Sequence, residues 1–244
     1  MRTVISPKLL KLANNVAKIP FMKTLLRPLY YRYKQSVNNR RNSIFLKNGV
    51  DILKEFDSIM ISNGINYTMT GGSMLGAVRE RGFIKHDLDI DVAIWGKENP
   101  LRVCRILEEN GFHLEHCFTL DNGSLAREDT YIKKDVSIDI FWVYDDGVQY
   151  HCDFQPVPGA VSWDDSMKQY GHVQCRRVEI PFSENMLRLP FENIEVNVAE
   201  NFDEWLSTRY GRDYMIPNPR WTNAEHPLIK KWIGAKPNFT RFEI

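Results

Sequence analysis

No acidic residue precedes Asp51, no two cysteines are spaced C-x-x-C, and no run of apolar residues reaches the roughly 20 needed to cross a bilayer as a helix. Each absence excludes a class of protein. Lysines and prolines break every apolar stretch in the N-terminal region, so a membrane-spanning helix is not expected there. That region also lacks a compact apolar segment followed by small residues, which argues against a secretory signal. The four cysteines, Cys104, Cys117, Cys152 and Cys175, lack the spacing of a zinc ribbon or a redox pair. Buried thiols in a reduced, cytoplasmic protein are expected, with a zinc site drawn from His113, His116, Cys117, His151 and Cys152 as the lesser alternative. Net charge is only +1, which excludes a general nucleic-acid binder and leaves no nucleic-acid partner expected. Repeats, low-complexity tracts, a nucleophile elbow, a Walker lysine motif and His-x-x-Glu-His are all missing.

What the chain does have is uneven. Lys8, Lys11, Lys18, Lys23, Arg27, Arg32, Lys34, Arg40 and Arg41 mix with Leu9, Leu10, Leu12, Val16, Ile19, Phe21, Leu25, Leu26 and Leu29. Two readings of this basic helical arm, residues 1–41, stand side by side. It either lies on an anionic membrane surface, as a peripheral contact at the cytoplasmic face, or packs on its own domain. The remainder, residues 42–244, reads as one catalytic domain without an internal linker.

Apolar residues at Leu46, Val50, Leu53, Phe56 and Met60 predict an amphipathic helix over 44–60, stopped by Asn63-Gly64. Strands are expected over 65–70, 89–94 and 136–144, and a helix over 99–110 closing on Gly111. Residues 112–120 and 125–133 flank Asp121-Asn122-Gly123 as a hairpin, and Asp145-Asp146-Gly147 turns into 148–154. The later part mixes strands and Pro-rich loops with one clear helix over 199–210. Together these predict an α/β (α+β) fold with a mixed or antiparallel central sheet, not a purely parallel one.

The chemistry is concentrated between Thr70 and Ile94. Residues two apart on a strand project to one face, so Asp89 and Asp91 point together while Ile90 and Val92 face the core. Two carboxylates held that close call for a cation, and an all-oxygen set suits Mg²⁺ or Mn²⁺. Asp139, between Ile138 and Ile140, supplies a third carboxylate from a later strand. Asp89, Asp91 and Asp139 are therefore the expected metal ligands for phosphoryl transfer. Upstream, Gly71 and Gly72 allow close backbone approach to phosphates, and Ser73 opens a helix whose amides and hydroxyl can hold an oxyanion. Arg79, Arg81 and Lys85 are candidates to neutralise the rest of the phosphate charge, Arg79 first. Asp87 is either a second candidate base or a cap. Asp129, Trp163, Asp164 and Asp165 are weaker candidates for an acceptor pocket, and Tyr210, Tyr214, Pro217 and Trp221 for the wall of a donor site.

Gly72-Ser73 followed by Asp89-x-Asp91 and Asp139 resembles the signature of the nucleotidyltransferase fold shared with DNA polymerase beta. More closely, the run from Gly72 to Ile84, then Asp87-x-Asp89-Ile90-Asp91, is similar to the LicD family, to which fukutin and its relatives belong. The segment Tyr210-Gly211-Arg212-Asp213-Tyr214-Met215-Ile216-Pro217 is similar to that family's C-terminal aromatic and proline motif. The chain departs at Lys85-His86, where Pro-Trp is usual, and at Leu88, where a third consecutive acid is. The resemblance implies transfer of phosphocholine or a polyol phosphate from a cytidine diphosphate (CDP)-linked donor to a glycan hydroxyl, releasing cytidine monophosphate (CMP). It implies Asp89 and Asp91 as holders of the ions and Asp139 as a further ligand or the base. It also implies a place in polysaccharide or lipopolysaccharide assembly. A glycosyltransferase using a nucleotide-sugar, a nucleotidyltransferase that leaves the nucleotide on its acceptor, and a non-catalytic membrane-associated scaffold are the alternatives.

Overall fold

The computed structural model describes residues 20–179, 182–218, 229–231 and 236–242. Residues 1–19 of the basic N-terminal arm and Trp221 therefore lie outside the described residues. Helix α1 (Pro20–Ser62) runs without a break through the boundary expected at 41/42. Its buried stripe is Phe45, Ile52, Leu53, Phe56 and Met60, each no more than 1% exposed. The stripe differs from the expected one at its start, because Leu46 faces solvent and Phe45 takes the core position. The helix ends as the sequence predicts: Asn63 N donates to the Ile59 carbonyl (3.2 Å), Ile65 N to that of Met60 (2.9 Å), and Gly64 adopts φ +65°. No helix among the described residues is long and apolar enough to cross a membrane.

After the turn come β1 (Tyr67–Met69), α2 (Gly71–Arg79), β2 (Asp89–Trp95) and α3 (Pro100–Glu109). Helix α3 begins where Asn99 Oδ1 accepts from Leu101 N at 2.9 Å, with Pro100 at the first position, where no donor is needed. Strands β3 (His113–Leu120) and β4 (Ala126–Lys133) form the expected hairpin around a short 3-10 turn over Asp121–Gly123. Strands β5 (Val136–Asp145) and β6 (Gln149–Gln155), helix α4 (Trp163–Tyr170) and strand β7 (Gln174–Val178) follow. Then come β8 (Met186–Phe191), β9 (Ile194–Ala199), α5 (Phe202–Tyr210), β10 (Ile229–Lys231) and β11 (Asn238–Arg241).

Among the described residues nine strands form one mixed sheet. Its one parallel pair is β2 beside β5, with Asp91 opposite Asp139, and the other pairs are antiparallel. Strands β8 and β9 form a separate hairpin, joined to β1 by Ala199 N donating to Thr68 Oγ1 at 2.9 Å. Helix α4 falls where strands and Pro-rich loops were expected. Its signals were present: Ser162 Oγ accepts from Asp165 N (3.1 Å), the two aspartates occupy the first turn, and Gly171 closes the helix at φ +73°.

Candidate active site

The short helix α2 is aimed at β2. The Thr70 side chain makes no cap bond, and the helix N-terminus instead meets an acid, with Gly72 N donating to Asp91 Oδ2 at 3.2 Å. Two backbone contacts fix this approach: Thr70 N donates to the Asp91 carbonyl (3.0 Å), and Asp91 N to Ser73 Oγ (2.9 Å). Ser73 is buried, so its hydroxyl already serves the strand as an acceptor rather than standing open to an oxyanion. Gly71 adopts φ +53°, and a β-carbon there would lie 2.6 Å from Asp91 Oδ2. Gly76 is required for a different reason, since a β-carbon there would lie 2.5 Å from the Gly82 carbonyl of the following loop.

That loop carries Asp87. Phe83 packs against Phe45 and Phe191 at ring distances of 4.5 and 4.7 Å, and Asn42 Nδ2 donates to the carbonyls of Lys85 (3.0 Å) and Asp87 (2.8 Å). Asp87 Oδ2 accepts from Ile84 N at 3.1 Å, so it caps its own loop while facing the site. Burial, partly offset by the Ile84 amide, pushes its carboxyl up to about 6.

The acids converge. Asp91 is held well above the usual carboxylate range by burial first, then by the charges of Asp89, Asp139 and Asp87. Asp89 is also raised by burial, against the pull of Arg41 from α1. Asp139 Oδ1 accepts from Thr130 Oγ1 at 2.7 Å. A cavity of about 750 Å³ opens over this cluster. Gly71, Gly72, Asp87, Asp91, His86 and Arg79 line it, and Asp89 and Asp139 stand beside Asp91 on the sheet. Lys85 is exposed and is not among the cavity residues; its neighbour His86 is. Arg79 reaches the cavity with its guanidinium engaged, Nε to Glu80 Oε1 at 2.7 Å and Nη1 to the Tyr214 carbonyl at 3.2 Å.

The proposed acceptor residues are elsewhere. Asp129 alternates with Thr130 and so faces away from Asp139; it is fully buried, bound by Arg127 Nε (2.8 Å) and Trp142 Nε1 (2.9 Å). Trp163 packs on His116, Phe118 and Phe239, and Asp164 and Asp165 belong to the first turn of α4. None of the four lines the cavity. Tyr210, Tyr214 and Pro217 do line it, and the Tyr214 carbonyl meets Arg79 of α2. His116 and Cys117 alternate across β3, and among the described residues no three His, Cys, Asp or Glu side chains enclose a metal.

Four residues were not singled out by the sequence for these roles. Asp153 and His151 on β6 line the cavity, with His151 Nε2 3.5 Å from Asp153 Oδ1. Asp153 sits between Cys152 and Phe154, the same apolar setting that drew attention to Asp139. Glu128, opposite Phe141, is wholly buried with Oε2 lacking a partner. Burial and the charges of Asp139, Asp153 and Asp91 hold it well above its usual range. Arg209, in the last turn of α5, also lines the cavity.

Among the described residues the acids do not close around one point, so a hard divalent cation here would need its remaining ligands from water and substrate phosphates. Asp89, Asp139 and Asp87 add their charges to the burial that raises Asp91, a crowding that a cation would relieve, and Asp89, Asp91 and Asp139 are the residues that could hold one.

The chain is also similar to known proteins. A family model described as LicD/FKTN/FKRP, nucleotidyltransferase domain, matches residues 64–201, which include α2, β2 and β5. The chain is 27% identical over 186 residues to human Ribitol 5-phosphate transferase FKRP, covering 72% of this chain and 33% of that protein. It is 21% identical over 195 residues to mouse Ribitol-5-phosphate transferase FKTN, covering 80% of this chain and 37% of that one. The chain thus spans about a third of the length of the curated relatives it matches. With the family model covering more than half of its residues, and with them the helix and both acid-bearing strands of the site, this chain belongs to the LicD/FKTN/FKRP nucleotidyltransferase-domain family.

Proposed function

We propose that this chain transfers a polyol phosphate from a CDP-linked donor to a glycan hydroxyl, within a nucleotidyltransferase fold. The observation that carries the reading is the Asp91 carboxyl. It lies where the N-terminus of α2, the neighbouring Asp139 and the cavity meet, with Asp89 and Asp87 close enough to raise it further. A divalent cation bound there supplies charge neutralisation for a diphosphate. Asp89, Asp91 and Asp139 would hold it. Asp87 faces the cavity with a carboxyl near 6, a range suited to receiving a proton from the attacking hydroxyl.

In the reaction the acceptor oxygen bonds to the phosphorus that carries the polyol. The bond from that phosphorus to the bridging oxygen breaks, CMP leaves with the electron pair, and the hydroxyl proton passes to a base. Ribitol phosphate is favoured over phosphocholine by the names of the relatives.

The test is to incubate the purified chain with Mg²⁺ or Mn²⁺, CDP-ribitol or CDP-choline, and candidate acceptor oligosaccharides, following CMP. Acceptor-dependent CMP release that disappears in Asp91→Asn supports the reading, and the productive donor names the alcohol. Consumption of a nucleotide-sugar instead would replace it with glycosyl transfer. Release of pyrophosphate with nucleotide left on the acceptor would replace it with nucleotidyl transfer.

A further inference from the structure

Among the described residues two guanidinium groups line the cavity, and they are not equivalent. Arg79 is committed to Glu80 and to the Tyr214 carbonyl, so its charge is largely met. Arg209 is held differently. Its guanidinium lies 5.4 Å from the ring of Trp205, one helical turn back and fully buried, and it donates to the Tyr210 side chain. Among the described residues no carboxylate forms an ion pair with it, and its Nε is buried without a hydrogen-bond partner. It nevertheless stands close enough to the acids for its charge to act on Asp91. The result is a cation packed against Trp205 on the same cavity as the acids, with no carboxylate in an ion pair with it among the described residues.

We propose that Arg209 is the residue that grips the nucleotide-side phosphate of the donor, the one that departs as CMP. This rests on the CDP-donor reading. A guanidinium fork meets two phosphate oxygens at once, and stacking on Trp205 removes much of the rotamer freedom that binding would otherwise cost. Negative charge grows on the bridging oxygen as its bond to the transferred phosphorus breaks. A preorganised donor beside that oxygen stabilises the leaving group while itself staying protonated. Helix α5 would therefore bind the leaving side of the diphosphate, and β2 and β5 the side that is transferred. Tyr210 and Gly211, which follow Arg209, end the helix and orient its last turn toward the cavity.

The experiment is calorimetric titration of the full chain, in Mg²⁺, with CMP and with cytidine, in wild type, Arg209→Met and Arg209→Lys. Methionine keeps an apolar stem against Trp205; lysine keeps the charge and loses the fork. Wild type should prefer CMP to cytidine. In Arg209→Met, CMP affinity should fall about ten- to a hundredfold, as expected for loss of charge-assisted hydrogen bonds, with cytidine affinity unchanged. Arg209→Lys should fall between. A wild-type CMP preference retained in the variants overturns the role of Arg209 and leaves the donor reading intact. Failure of wild type to bind either ligand overturns both.

Discussion

Gly71 and Asp91 occupy the same space: the position a β-carbon would take on Gly71 lies 2.6 Å from Asp91 Oδ2. The helix N-terminus and the strand acid are therefore a single unit, and the glycine is needed for the carboxylate as much as for any phosphate. Gly71→Ala should displace Asp91 and strain a backbone at φ +53°. The expected cost is about 1–2 kcal/mol of stability, measurable by urea unfolding. CMP release should fall at least about tenfold with little change in the far-ultraviolet spectrum, as expected when a reacting group moves by about 1 Å. Wild-type activity in this variant would show that Asp91 need not sit where the structure has it.

Asp87 gives a pH signature. Its folded-state carboxyl titrates near 6 against an ordinary 3.8, because burial disfavours the charged form. The folded protein then binds more protons than the unfolded chain between those values, so this residue's stabilising contribution is present below about 4 and is lost as pH rises through 6. Relative to Asp87→Asn, metal-free wild type should lose stability across that interval. A constant difference between the two proteins from pH 4 to about 7 would contradict the assignment.

Divalent metal should act in the opposite sense. Asp89 and Asp91 are raised in the metal-free protein, so protons compete with a cation for the same oxygens. Mg²⁺ should raise the melting temperature more near pH 7.5 than near pH 5, by mass action on the folded state alone. Asp91→Asn should abolish the pH-dependent part of that shift. An equal effect of Mg²⁺ in both proteins would place the ion elsewhere.

Away from the cavity, Arg188 on β8 grips Asp57 of α1 with two bonds of 2.6 and 2.9 Å, and Tyr67 Oη adds a third to the same carboxylate at 2.6 Å. This ties the β8–β9 hairpin to the helix and to β1. Arg188→Ala would leave a buried aspartate without its cation, at an expected cost of about 2–3 kcal/mol, the low end for a broken buried pair because Arg188 is partly exposed. Neither partner lines the cavity, so CMP release below the unfolding temperature should be nearly unchanged. A large loss of activity in a folded variant would reveal coupling between the hairpin and the site.

Much of this molecule is written in local pattern. The spacing in Asp89-Ile90-Asp91-Val92 requires a strand with acids on one face and core on the other, and the structure has that strand. The Asn63-Gly64 stop, the hairpin at Asp121–Gly123 and the helix before Gly111 follow from residues within one or two turns of each other. Even the missed helix α4 carried its cap and its terminal glycine in plain view.

Other features depend on which strands lie side by side, and local pattern carries no such information. That Asp139 stands level with Asp91 depends on the parallel register of β2 and β5, separated by more than a helix and a hairpin. Glu128 and Asp129 look alike in sequence. Only the pairing of β4 with β5 turns Glu128 toward the acids and Asp129 toward Arg127 and Trp142. Arg79 and Arg209 are likewise both basic residues near a helix end, and which one keeps an open charge was decided by Glu80 and the Tyr214 carbonyl. Neighbours along the chain are enough to set the element types, the acid pair on β2 and the glycine turn before α2. The tertiary structure decided which charges meet, which are already satisfied and which are left facing the cavity, because electrostatic interaction and desolvation depend on distance in space rather than separation in sequence.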